Sequence, residues 1–251
     1  MPVHLKEFLD NKVKEYNRPE FIKDDPISIP HLFTQKKDIE IAGFFAAVFA
    51  WGNRTTIINK SKELLQRMNN SPYAFIKDHT AKDLRCLRGF THRTFNEDDL
   101  YYFVESLHHH YSRYDSLETA FFPGRDYGVE QGLIHFKNYF FSIDHLKRTE
   151  KHISSPLQKS TCKRLNMFLR WMVRNDDRVD FGLWKTISPS QLICPIDVHV
   201  ARVAKKLGLI KRKQVDWLAA TELTGALCQL DKDDPVKYDF ALFNLGVIEK
   251  F

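Results

Sequence analysis

Residues 39–51 are the most apolar run of the chain, with Ile41, Phe44, Phe45, Val48 and Phe49 at helical spacing and apolar residues at most positions between them. A helix that is hydrophobic nearly all round has no face to offer water, so the rest of the chain must enclose it. With 251 residues, 43% of them hydrophobic and 13% aromatic, there is enough apolar material to do so. Only 10 glycines are available for tight turns, and the stretches between glycine and proline signals have helical length, which argues against a sheet-rich fold. The expected class is all-α.

Gly52-Asn53 ends the buried helix, and residues 55–68 follow as an amphipathic helix carrying Ile57, Ile58, Leu64 and Leu65. Ser71-Pro72 opens another with a serine cap and proline at the first position. Asn96, followed by Glu97, Asp98 and Asp99, suits the start of a long helix over 95–114. Helices are also expected at 115–122 and 129–141, with a loop over 144–160. Residues 159–174 make an amphipathic helix with Leu165, Phe168, Leu169 and Met172 on its stripe and Lys163, Met167, Arg170 and Arg174 on the other side. After a loop over 175–190 come helices at 198–207, 215–230 and 235–247. Residues 1–37, with Pro19, Pro26 and Pro30, read as a short helix and an extended arm. The organisation expected is a single helical unit over 1–251 with lobes at 38–145 and 155–235, and with 1–37 and 236–251 packing across them.

Lysine plus arginine exceed aspartate plus glutamate by 38 to 32, a basic balance that favours a polyanionic partner. Cys86, Cys162, Cys194 and Cys228 form no C-x-x-C pair, so spacing suggests neither zinc nor an iron–sulfur cluster and fits reduced thiols of a cytoplasmic protein. His108-His109-His110 point in different directions on a helix and do not make a metal site. No apolar stretch is long enough to cross a membrane. Neither a metal nor a cofactor is expected.

Two residues stand out for chemistry. Asp197 sits at the N-cap of a basic helix that ends at Gly208, where one carboxylate oxygen can cap the helix and the other can face a ligand. Lys163 lies 34 residues upstream. A neutral amine there, favoured by partial burial beside Arg164, can attack an electrophilic carbon and form a Schiff base, while the carboxylate takes the proton and stabilises positive charge on a sugar ring. Lys159 and Lys185 are competing nucleophiles.

Over residues 155–250 the chain resembles an uncharacterised bacterial family known as a domain of unknown function. The resemblance is carried by the Cys162-Lys163-Arg164-Leu165-Asn166-Met167-Phe168-Leu169-Arg170-Trp171-Met172 string and the Pro189-Ser190-Gln191-Leu192 to Leu209 block. More distantly it is similar to the helix-hairpin-helix base-excision DNA glycosylases of the archaeal 8-oxoguanine type. The Pro195-x-Asp197-x-His199-x-x-Arg202-Val203 string looks like the motif of their catalytic aspartate, and the Lys163 helix looks like that of their Schiff-base lysine. The turn after residue 51 is similar to the one with which they probe a base pair.

That likeness implies a two-lobed helical fold, DNA as partner, and Lys163 and Asp197 as catalytic residues. It places Asn53, Arg164, Arg170, Arg174, His199 and Arg202 against nucleic acid, with Trp51 stacking on a flipped base. The Leu-Pro-Gly-Val-Gly hairpin of those enzymes has no counterpart between Lys163 and Asp197, and their cluster cysteines are absent. The alternative is a nucleic-acid-binding or protein-binding relative that keeps the scaffold without the chemistry.

Overall fold

The structure, a computed structural model, describes residues 3–176 and 179–251. Among these it is helical, with no strand and two isolated bridges, His92 to Phe95 and Asn175 to Phe181. In chain order the helices are α1 (Val3–Tyr16), α2 (Lys36–Phe49), α3 (Arg54–Arg67), α4 (Pro72–Asp78), α5 (Glu97–Tyr111) and α6 (Glu118–Phe121). They continue with α7 (Val129–Phe140), α8 (Lys163–Val173), α9 (Val198–Lys206), α10 (Trp217–Cys228) and α11 (Asp239–Val247). No helix among the described residues is long and apolar enough to cross a membrane.

The chain divides into two compact units. Unit 1 gathers the chain up to Lys23, Gly128–Glu130 and Ser155–Phe251; unit 2 gathers Asp24–Tyr127 and Gln131–Ser154.

Unit 2 is built around α2, buried from Ile39 to Phe49 as its composition demands. Phe44 stacks on Phe103 at 5.9 Å, Phe103 meets Phe140 edge-on at 4.8 Å, and Phe121 stacks on Phe136 at 3.8 Å. Each such ring contributes about 2–3 kcal/mol through burial. The one acid in this buried run, Glu40, is fully enclosed and accepts hydrogen bonds from Tyr111 Oη, Ser116 Oγ and Leu117 N. The enclosed carboxylate thus has partners and ties α2 to the start of α6. Asn96 and Asp99 form a capping box on α5. Asp99 also accepts from Thr149 Oγ1 at 2.7 Å and Arg148 Nη1 at 2.9 Å, fixing residues 147–152 against the helix start.

Two local expectations are corrected. Residues 19–32 are not extended but form three short 3-10 turns, Pro19–Asp24, Pro26–Ser28 and Pro30–Leu32, because proline pre-sets φ for the first position of a turn. Ser71 makes no cap bond to α4; Asp38 of α2 accepts the Tyr73 N–H at 2.9 Å instead. A cap supplied from another helix is invisible to local sequence.

In unit 1, α11 is the centre, packed against α1 and α9. Gly246 lets α9 approach closely: a Cβ there would lie 3.1 Å from His199 Cβ and 3.2 Å from Val203 Cγ2. The α9 helix stops at Gly208, whose φ of +70° needs glycine, with Leu209 N donating to Ala204 O at 2.8 Å as in a Schellman end.

Candidate active site

The α8 helix begins at Lys163, four residues later than its periodicity suggests. The preceding chain makes a 3-10 turn at Pro156–Gln158, and both Lys159 (φ +58°) and Cys162 (φ +49°) adopt left-handed backbone. Glycine would have marked such a turn; lysine and cysteine give no signal. Cys162 is buried, and its side chain makes no cap bond to α8.

Lys163 therefore stands in the first turn of α8, half-buried. Its Nζ lies 3.6 Å from Met167 Sδ and 5.7 Å from the Phe243 ring of α11, and it is in no ion pair among the described residues. Arg164 beside it is also half-buried, and burial lowers its guanidinium to about 10.

Asp197 is the N-cap of α9 and directs one oxygen, Oδ1, at both free N–H groups, His199 N at 2.9 Å and Val200 N at 3.0 Å. Oδ2 makes no hydrogen bond among the described residues. Lys163 and Asp197 both act electrostatically on Asp239, the first residue of α11.

Asp239, absent from the sequence expectations, is 7% exposed and accepts a hydrogen bond from Arg170 Nη1. Burial raises its carboxyl to about 6, against Arg170 and Lys163 and with Asp197 and Asp180. Its signal was present, since it is the one acid in the apolar run 239–247.

The three positive charges expected on a polar side of α8 do not share an open face. Arg170 is buried between Asp180 (3.3 Å) and Asp239, with its guanidinium 4.3 Å from the Phe240 ring. Arg174 is buried among Asp180 (3.0 Å), Asp234 (2.7 Å) and Asp176. Their partners arrive from segments up to 69 residues away, which one helix's periodicity cannot reveal. Arg202 is exposed but donates to Gly246 O at 2.6 Å and Phe251 O at 3.2 Å, closing the C-terminal end of α11. Arg202→Ala is expected to cost about 1 kcal/mol in denaturant unfolding. His199 packs its Cβ on Gly246 and buries Nδ1 without a hydrogen-bond partner among the described residues. The competing nucleophiles Lys159 and Lys185 are both exposed.

In unit 2, Asn53 is the exposed N-cap of α3, its Oδ1 accepting from Thr56 N at 3.2 Å. Trp51 is half-buried, and its ring carries the exposed Arg93 guanidinium at 4.5 Å. Gly52 between them has φ +110°, and a Cβ there would lie 2.6 Å from Arg93 Nη1. The remaining tryptophans, Trp171, Trp184 and Trp217, are core. All four cysteines are free thiols, and no group of three potential metal ligands occurs among the described residues.

Residues 25–248 match the family DUF2400, described as a protein of unknown function. No curated protein and no solved structure matches the chain.

Proposed function

We propose, from the premise that the chain belongs to the DUF2400 family, that it is a base-excision DNA glycosylase with Schiff-base lyase chemistry. One observation carries the reading: Lys163 and Asp197, whose Oδ2 makes no hydrogen bond among the described residues, both act electrostatically on the buried Asp239 carboxylate of α11. In the reaction the neutral Lys163 amine attacks C1′ of a flipped nucleotide and the glycosidic bond breaks, the base leaving with its electron pair. Asp197, while ionised, stabilises positive charge on the sugar and then takes a proton from the nitrogen of the new C–N bond. It returns that proton to O4′ as the nitrogen lone pair breaks the C1′–O4′ bond, which opens the ring to the iminium.

The test is reduction by borohydride in the presence of duplexes carrying oxidised bases, deaminated bases or an abasic site. Wild-type protein is expected to cross-link to at least one, and Lys163→Ala, with an unchanged circular dichroism spectrum, to none. No cross-link across the set, or an equal one from Lys163→Ala, overturns the catalytic claim.

A nucleic-acid-binding scaffold without chemistry is the second reading. The engagement of Arg170, Arg174 and Arg202 within unit 1 gives these side chains a part in the scaffold whether or not chemistry is carried out on it. The mark of this second reading is a gel shift of the same duplexes with no cross-link.

A further inference from the structure

We propose that Asp239 is the positioning carboxylate of this site, held by Arg170 so that it stabilises the positive charge formed on the Lys163 nitrogen. The inference rests on the Lys163–Asp197 reading. Asp239 opens α11, where the helix dipole favours an anion, and is 7% exposed. Arg170, itself 6% exposed, divides between Asp239 and Asp180, and the Phe240 ring at 4.3 Å restricts its guanidinium. One turn along the same helix, Phe243 carries the Lys163 ammonium 5.7 Å from its ring. The α11 helix thus holds both the carboxylate and the surface on which the amine rests.

An ionised Asp239 stabilises an ammonium or iminium at Lys163; a protonated one does not. Burial keeps the carboxyl at about 6, so its charge changes within the working range of a lysine enzyme. The other groups facing it are Asp197 from α9, Asp180 from the loop after α8, and the Cys194 thiol, which burial pushes well up. On the α1 side, Asp10 is bound by Tyr238 and Lys237.

The experiment is the yield of cross-link to an abasic-site duplex with cyanoborohydride, measured from pH 5 to 8. Wild-type yield is expected to rise through about pH 6. Asp239→Asn, which keeps an oxygen for Arg170, is expected to lose that limb and to fall about tenfold at pH 7. A uniformly lowered curve with the limb still in place means a structural role only and overturns the proposal.

If the wild type gives no cross-link, the glycosylase reading fails, and a second measurement still decides the coupling. Carboxyl carbon NMR titration of Asp239 in Lys163→Met is expected to move its midpoint up by about half a unit, because a stabilising cation has gone. An unmoved midpoint overturns the inference.

Discussion

Replacing Asp197 by asparagine is expected to leave the stability of the protein within a few tenths of a kcal/mol while lowering single-turnover cross-linking about 100- to 1,000-fold. The separation follows from how the carboxylate is used. Both cap bonds go to one oxygen, at 2.9 Å from His199 N and 3.0 Å from Val200 N. An asparagine amide oxygen serves that purpose as well, since the two residues cap helices equally. It cannot take a proton or balance a sugar cation. Asp197→Ala removes both functions and is expected to cost about 1 kcal/mol in addition. Denaturant midpoints and trapped yield, measured on the same preparations, check the pair; an asparagine variant with wild-type yield reduces Asp197 to a cap.

The largest effect on stability is expected from Arg174→Ala, about 3–5 kcal/mol, because it removes one partner of a buried ion cluster and leaves the others uncompensated. Arg174 is 4% exposed and bonds Asp180, Asp234 and Asp176 together. Burial works against its charge, and those three carboxylates outweigh it and hold the guanidinium protonated. Asp176 also accepts from Asn17 Nδ2 at 2.7 Å, so the cluster reaches the residue after α1. The Asp180 carboxyl, raised by burial, responds in a defined direction. A folded-state value above the unfolded one favours folding at low pH, and that contribution is lost as pH rises through the folded value. The destabilisation by Arg174→Ala is therefore expected to be smaller at pH 5 than at pH 8, by urea midpoint. A loss below about 1 kcal/mol at pH 8 would show the cluster to be dispensable.

The helical class was legible because its cause is local. An all-round apolar segment at 39–51 must be enclosed, and α2 is. The Asn96 start of α5 and the Gly208 stop of α9 also appear where side-chain chemistry put them. Asp197 was recognisable as a cap for the same reason. What sequence could not reveal were partners that meet only in three dimensions. Arg170 and Arg174 looked like a polar side of α8 until Asp180, Asp234 and Asp239 closed over them. The turn before Lys163 uses a lysine and a cysteine in left-handed backbone, so the residue types that normally announce it are missing. Asp239 falls inside the helix expected over 235–247, where only its burial in the folded chain sets it apart.

Gly246 has a consequence for how this site can diverge. The segment joining Lys163 to Asp197 in sequence does not act as the ruler between them. Lys163 is referenced to α11 through Phe243, and the Asp197 helix is referenced to it through the missing side chain at 246. Part of the stretch before Pro189 is itself pinned to α8, since Asp180 bonds Arg170 and Arg174 while Phe181 N and Trp184 N donate to Trp171 O and Met172 O. A methyl group at 246, nearly 50 residues beyond Asp197, would press on α9 at His199 and Val203. Both the Lys163 side chain and the Asp197 helix take their place from α11, and a change on that helix reaches them over a shorter path than one along the chain.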